Sequence, residues 1–477
     1  MKEAILIIDF GTSNVRAVLF STANGETLHT HSESYPILSP EPGFQELDPE
    51  RVWGNAVACV RSVMNKAAGN VAVRAINFSF IGASLFPLDE KYEPTYNCIL
   101  CNDSRAKDFA IKMIPMFQTA SWRFSEVAPP SKMMWLREHR PKVFSKTRYF
   151  CTIQQFILAR LGLTPAFDPS IANLHYLYDQ SAGGWRKDVF AYAEIPEDMV
   201  ICPVRSSEYV TGAVEKFGDV DLGGCIPVSI GGQDGGLGML GLGLLGEGDD
   251  VIAEVSGTFD HVGFFANVDP ENPIPGRCKP GPLPETIVLM HVFKTYGADV
   301  EWFMKTFCGN TDPASYEDLW SHVTFDGSEN KILINPEFSG HGQIENLDLT
   351  VTKYELFKAL IEALTFETRR SMDGVLRYKR NGCNRIRIGG GPTREPAWAQ
   401  LRADVTGKVV ERVVSTDNSA LGAAVLAAIG AGIYQNLPDA VANLVQVKDR
   451  FYPNAAVAAK YEERYHEYCK KVFREAE

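Results

Sequence analysis

The segment AILIIDFGTSNVRAVLF, residues 4–20, decides how the chain is read. Two apolar runs rich in β-branched residues, Ala4–Asp9 and Val15–Phe20, flank a short Gly-Thr-Ser-Asn link, a pattern that predicts an opening β-hairpin with a glycine-containing turn. A second segment, VIAEVSGTFDHVGFF at residues 251–265, repeats the order of strand, Gly-Thr turn and strand when Gly257-Thr258 is laid on Gly11-Thr12. Two such hairpins far apart in one chain predict two similar α/β lobes, each headed by one of them. The glycine-rich stretch Gly231–Gly248 lies where the lobes would join and places a boundary near residue 245. The expected domains are therefore residues 1–245 and 246–477.

Outward from the first hairpin, Asp48-Pro49 has the pattern of a helix N-cap followed by proline at the first helical position, and Val52, Trp53, Val57, Val60 and Met64 continue a helical stripe. In the second half, Lys353–Tyr378 and Ser419–Gly432 read as long helices, the latter closely packed because Ala and Leu dominate it. The charges of Lys460–Glu477 read as the solvated face of a last amphipathic helix. The run Gly389-Gly390-Gly391 follows an apolar strand and precedes a helical pattern from Pro396 to Val405.

Bulk properties exclude several classes. At 477 residues the chain exceeds what one core usually holds, and 45% hydrophobic with 22% charged residues is a globular composition. A net charge of -12 and a pI near 5.4 argue against a nucleic-acid or anionic-membrane partner, which would need a basic footprint. The apolar start meets Asp9 too soon for a secretory signal, and Leu237–Gly246 is too short and glycine-broken to span a bilayer, so a cytoplasmic location is expected. Ten scattered cysteines suit reduced thiols. Cys98 and Cys101 form a lone CxxC with no second pair at zinc spacing.

Some residues carry chemistry by type and place. A glycine turn gathers backbone N–H groups and a hydroxyl adds a donor, so Gly11, Thr12 and Ser13, and likewise Ser256, Gly257 and Thr258, could wrap a phosphate; taken singly, each is also an ordinary hairpin. Asp9 at the end of the first strand could orient Mg2+ or simply cap the hairpin. Asp234, in SIGGQDGGLG, has glycines on both sides that let a substrate approach its carboxylate. In phosphoryl transfer such an aspartate accepts the hydroxyl proton. On spacing alone the reading of Asp234 as an aspartate in a glycine-rich interlobe turn is slightly favoured. Gly389, Gly390 and Gly391 lack dinucleotide GxGxxG spacing; they offer a flat surface for a nucleobase or form a plain β-to-α turn.

The order of these elements, DFGTSNVRAVLF, CNDSRA, PPSKMMWLREHR, GGQDGG, VSGT, GGGPTREPAWAQLRADVTG and SALGAAVLAA, resembles the FGGY family of carbohydrate kinases along essentially the whole chain. Pro129-x-x-Lys132-x-x-Trp135-Leu136-x-Glu138-His139 follows the family's first signature, and Leu360-Ile361-Glu362 resembles part of the second. The resemblance implies an α/β fold of two RNase H-like lobes of the actin-like ATPase superfamily around an interlobe cleft, with ATP and Mg2+ as cofactors. It implies that Asp9 helps place Mg2+, that Gly11-Thr12 and Gly257-Thr258 hold phosphates, and that Gly389–Gly391 and Asn418 flank adenine and ribose. Asp234 matches the catalytic base, and Asp103 and Arg105 match residues that bond substrate hydroxyls.

Departures lie on the substrate side. Gly82-Ala83 stands where related kinases carry a polar pair, and Cys101 stands where an aromatic residue is usual. The expected reaction is phosphorylation of a terminal hydroxyl of a ketose or polyol, a pentulose or 6-deoxy-hexulose foremost, with preference turned away from D-xylulose and glycerol. The alternative from another class is a non-phosphorylating, ligand-binding or regulatory ATPase of the same fold. The expected partner is a small sugar or polyol, with neither nucleic acid nor membrane, and the reading allows a homodimer.

Overall fold

The opening hairpin forms where the two apolar runs place it. β1, Lys2–Phe10, pairs antiparallel with β2, Asn14–Ser21, so that Asp9 stands opposite Arg16 and Phe10 opposite Val15. This computed structural model describes residues 1–117, 128–179, 184–257, 260–267, 278–283, 285–293, 296–338 and 342–473. β3, Thr27–Ser34, extends the hairpin, and the helix Pro49–Ala67 carries the chain to β4, Val71–Phe80, which pairs parallel with β1. The expected cap is present: Asp48 Oδ1 accepts the Glu50 N–H at 3.0 Å, with Pro49 at the first helical position.

β5, Val210–Phe217, β6, Val220–Ser229, and the short β7, Gly232–Gln233, complete this sheet. Its order is β5-β6-β4-β1-β2-β3, with β7 against the end of β4. Ala4 through Ile8 are fully buried, which is why β1 reads as a continuous apolar run and not as an alternation.

The chain divides into two compact units. The first contains Met1–Leu245, Phe265–Val288 and Asp417–Gln446, and the second contains Gly246–Phe264, Leu289–Thr416 and Val447–Glu477. Residues 417–446 join the first unit through the helix Asn418–Gly430, which packs on β4, β1 and the helix Asp234–Gly241. The two helices touch backbone to backbone. A methyl group on Gly241 would lie 1.9 Å from Asn418 O, and one on Gly422 would lie 1.9 Å from Leu237 O. The sequence treats Gly231–Gly248 as a joining stretch, yet Asp234–Gly241 within it is helical. Four glycines oppose that helix by about 0.5–1 kcal/mol each, and the contact that only glycine permits offsets them.

The second unit repeats the motif of the first. β8, Val251–Ser256, pairs antiparallel with β9, Asp260–Asn267, and parallel with β10, Arg385–Gly390, as β1 does with β2 and β4. β11, Val409–Val413, and β12, Val447–Phe451, follow on the far side of β10. The helices Lys353–Leu376 and Pro396–Thr406 fill the core with Phe357, Leu360, Leu364, Trp398 and Leu401. In the last helix, Ala455–Phe473, Tyr461, Tyr465 and Tyr468 are buried under the charged face that the sequence displays. Among the described residues no helix is long and apolar enough to cross a membrane.

The helix contact is open to measurement. Gly241→Ala should destabilise the chain by about 1–3 kcal/mol in urea unfolding, as overpacking does. Gly238→Ala in the same helix, where a methyl meets no atom within 4 Å, should be neutral or stabilising by up to about 1 kcal/mol. Equal stability of the two variants would exclude the close approach as the fastening.

Candidate active site

β1 and β4 are parallel neighbours, so the chain leaves both at the same end of the sheet, the place where open α/β sheets bind ligands. Three sequence candidates meet there. Phe10 O accepts the Ile81 N–H at 3.0 Å, which ties the start of the Gly11–Ser13 turn to the segment entering Gly82-Ala83. β7 then sets Gly232 opposite Ser79 and Gln233 opposite Phe80, which delivers Asp234 to the same end. A methyl on Gly82 would lie 2.3 Å from Leu174 Cδ1, and it would lie 3.7 Å from Gln233 Cγ. Ala83 bends the chain with φ +54°, a left-handed conformation uncommon for a residue with a side chain.

Asp234 is the first residue of its helix, half-buried. The N-terminal end of a helix favours negative charge. Its Oδ1 accepts the Gly235 N–H at 2.7 Å and the Gln233 side-chain amide, while Gln233 Oε1 accepts the Gly236 N–H at 3.2 Å. Behind it lies a buried relay. Ser170 Oγ accepts the Gln233 N–H at 3.1 Å and donates to Asp168 Oδ2 at 2.6 Å. Asp168 also accepts from Ile171 N at 3.0 Å and Ser207 Oγ at 3.1 Å. Gln154 donates to Ile230 O and Gly231 O, both at 3.1 Å, and accepts the Asp168 N–H at 3.1 Å. Burial pushes the Asp168 carboxyl up to about 6 against these bonds. Sequence reasoning passed over this relay, although Asp168-Pro169 has the same cap signature as Asp48-Pro49.

Asp9 is not isolated. Arg16 donates to Asp9 Oδ2 at 3.0 Å and to Asp417, and Ser419 Oγ lies 3.5 Å from Asp9 Oδ1. Burial lowers the Arg16 pKa, Asp417 and Asp9 raise it, and the net shift is upward. The Tyr35 hydroxyl bonds to Gly11 O and to Asn14 O, the latter at 2.9 Å, and the Tyr35 N–H donates to Ser13 O at 3.0 Å. The turn is thus fastened from behind, with Thr12 and Ser13 exposed. Among the described residues no group of three or more His, Cys, Asp or Glu side chains is arranged to hold a metal. A single carboxylate such as Asp9 suits Mg2+, which keeps waters and takes its other ligands from phosphate.

Asp103 and Arg105 have a different environment from that expected of residues facing a substrate. Both side chains are fully buried and paired with each other at 2.6 Å, and Arg105 also pairs with Glu46 at 2.7 Å. Asp103 accepts the Gln45 N–H at 2.6 Å, and the guanidinium lies 3.7 Å from the Phe44 ring centre and 5.0 Å from that of Trp135. Lys132 is buried and donates to Leu100 O and, at 3.5 Å, to Cys101 O; burial pushes its pKa down to about 8. The signature stretch Pro129–His139 therefore holds the Cys101–Arg105 loop from behind.

In the second unit, Ser256-Gly257 ends β8 and Gly389-Gly390-Gly391 ends the adjacent parallel β10, with Ser256 opposite Gly390. Gly390 has φ +101°, and a methyl there would lie 1.8 Å from Ser256 O, so only glycine fits. Gly257 O accepts the Gly297 N–H at 3.0 Å. Thr258 lies outside the described residues. Asn418 belongs to the first unit, next to Asp417; it is buried, and its Oδ1 has no partner among the described residues.

Comparison with known proteins gives a uniform result. Residues 4–241 match the N-terminal domain, and residues 323–431 the C-terminal domain, of the FGGY family of carbohydrate kinases. The autoinducer-2 kinase of Salmonella choleraesuis (strain SC-B67) is 25% identical over 96% of this chain and 92% of its own length. The xylulose kinase of Bacillus subtilis (strain 168) is 26% identical over 96% of this chain and 94% of its own. The crystal structure of gluconate kinase from Lactobacillus acidophilus superposes with a TM-score of 0.86 at 19% identity, covering 99% of this chain and 98% of that one. The fold is accordingly the α/β, two-domain fold of the sugar kinases.

Asp168→Ala should remove the helix cap and leave the buried hydroxyls of Ser170 and Ser207 without their acceptor, lowering stability by about 2–3 kcal/mol in urea unfolding. A variant within about 0.5 kcal/mol of the parent, the usual range for surface changes, would show that the relay does not support the Gln233-Asp234 corner.

Proposed function

This chain belongs to the FGGY family of carbohydrate kinases, and for this ATP-dependent sugar kinase we propose that Asp234 is the base and a terminal hydroxyl of a ketose or polyol the acceptor. The observation that carries the reading is the position of Asp234. It is half-buried at a helix N-terminus, at the sheet end shared with the Gly11 turn and Gly82-Ala83.

In the proposed reaction the Asp234 carboxylate accepts the hydroxyl proton while the hydroxyl oxygen bonds to the γ-phosphorus. The bond from that phosphorus to the β-γ bridging oxygen breaks, and ADP leaves with the electron pair. The phosphate-binding groups are assigned to the Gly11–Ser13 turn of one unit and the Ser256-Gly257 turn of the other, with Gly389–Gly391 and Asn418 assigned to the nucleoside. Mg2+, when bound, would shield the phosphate charges, and Asp9 is the carboxylate suited to hold it or its water. Asp103 and Arg105 are assigned to fixing the substrate-side loop, because their hydrogen-bonding groups are engaged with each other and with Glu46.

The substrate side supports a finer reading. Gly82 and Ala83 themselves bring no side-chain donor or acceptor, and the side chain nearest a methyl on Gly82 is the apolar Leu174, with the stem of Gln233 next. A buried hydroxyl without a partner costs about 1–3 kcal/mol, one to two factors of ten in specificity. We therefore assign to this chain a substrate that lacks a hydroxyl or carries a methyl at that place, a 6-deoxy-ketose or an unusual polyol, in preference to D-xylulose or glycerol.

Asp234→Ala should lower kcat by about 10²–10⁴-fold with ATP affinity nearly unchanged; turnover above about a tenth of the parent's would remove Asp234 from the role. In a panel of D- and L-ketopentoses, deoxyketohexoses, glycerol and small polyols, sugar-dependent ADP release with a phosphorylated product is expected, and kcat/KM should be highest for a deoxy or unusual substrate. A higher value for D-xylulose or glycerol than for all of these would refute the substrate assignment.

A further inference from the structure

Beneath the Ser256-Gly257 turn lies a closed group of buried polar side chains with a proton-counting problem. Ser256 Oγ is 2.8 Å from Glu254 Oε1 and 2.9 Å from Asp260 Oδ1, and all three residues are at most 1% exposed. A serine hydroxyl has one proton and can donate to only one of these oxygens. The other contact is a hydrogen bond only if that carboxyl keeps its own proton. Arg402, itself fully buried, donates through Nε to Glu254 Oε1 at 2.7 Å and through Nη2 to the Tyr296 hydroxyl at 2.7 Å, so the negative charge belongs on Glu254. Asp260 has no such cation within bonding distance among the described residues; its second oxygen accepts from Thr368 Oγ1 at 3.0 Å.

We propose that Asp260 is a positioning residue for ATP. At neutral pH it keeps a proton, donates it to Ser256, and so holds the Ser256-Gly257 turn in the form that receives phosphate; loss of that proton to solvent releases the turn. The inference rests on the reading of this turn as a phosphate-binding element. Ser256 is the last residue of β8 and stands opposite both Asp260 on β9 and Gly390 on β10, so its anchoring sets where the turn begins.

The surroundings support the direction of titration. Burial, and next the Glu254 charge, push the Asp260 carboxyl up to about 8, and Arg402 only partly opposes them. From the other packed helices Tyr296 faces the group with a phenol held far above its usual value by burial, and Arg402 stays cationic. Asp260 is then the member of the group that changes charge between pH 7 and 9. Below that range the group holds one anion and one cation. Above it, two carboxylates face one guanidinium and a single serine proton.

The test is ATP binding by calorimetry to the full chain at pH 6.5–9, with the parent, Asp260→Asn, Asp260→Ala and Gly257→Val. The parent Kd should be flat to about pH 7.5 and about tenfold weaker at pH 9, one decade per pH unit beyond the titration. Asp260→Asn reproduces the protonated form, with its amide donating to Ser256 and its carbonyl accepting from Thr368. It should match the parent at pH 7 and stay flat to pH 9. Asp260→Ala should be weaker by about tenfold at pH 7, the value of one hydrogen bond. An alkaline rise in Asp260→Asn parallel to the parent's, or equal weakening by Asn and Ala at pH 7, would overturn the proposal. If Asp260→Asn does not fold, Ser256→Ala carries the test: binding should be weaker at pH 7 and lose its alkaline rise, and a parent-like rise overturns the proposal. Gly257→Val separates the two readings. Unchanged ATP affinity in that variant refutes the phosphate-turn assignment itself, whereas weakened binding together with a persistent rise in Asp260→Asn refutes only the role of Asp260.

Discussion

At Gly241 and Gly422 two helices meet with no side chain between their peptide groups, and the first unit depends on that approach. It carries residues 417–446 back to a sheet built almost wholly from the first 245 residues. The contact is reinforced by Asn77 of β4, whose side-chain amide donates to Ala423 O at 2.9 Å across 346 residues of sequence. Once the Asn418–Gly430 helix is in place, its N-terminal end sets Asp417 against Arg16 and Ser419 near Asp9. The environment of the first strand's carboxylate is therefore a consequence of packing elsewhere. Gly241 and Gly422 leave no room for a methyl because the facing atoms are backbone, which cannot swing aside.

Three of the loops that carry candidate residues are built on one scheme. Backbone carbonyls in them accept hydrogen bonds from buried side chains: Tyr35 for Gly11 and Asn14, Gln154 for Ile230 and Gly231, and Lys132 for Leu100 and Cys101. Buried backbone groups favour hydrogen-bonded partners, and these side chains supply or add to them. The same bonds fix the loops from which the candidate site is assembled. A site supported this way can offer groups to a ligand without first ordering them.

Each unit sets one arginine among two acids near its hairpin, and water decides what each group does. Arg16 keeps 34% of its side chain exposed while bridging Asp9 and Asp417, so water shares in solvating that ion pair. Arg402 and Glu254 are wholly buried, and there a second carboxylate cannot be ionised cheaply. Asp260 is pushed upward for that reason. Similar composition yields an ion-pair bridge in one unit and, as proposed, a protonated carboxyl beside an ion pair in the other.

Local pattern was enough for much of this protein. The alternation of apolar runs with Gly-Thr turns specified both hairpins, Asp48-Pro49 specified the first helix start, and glycines on both sides of Asp234 made it a candidate. These features depend on neighbours within a few residues, and there the sequence is explicit. The helix Asp234–Gly241 was not legible, because glycine's helix penalty is local while the contact that repays it comes from residue 418 and beyond. Nor was the burial and pairing of Asp103 and Arg105 with each other and with Glu46. The buried relay of Asp168 and Gln154 and the burial of Asp260 against Glu254 were likewise visible only in three dimensions. Burial and hydrogen-bond partnership are properties of the segments that come together, and the residue types along the chain do not by themselves say which segments those are.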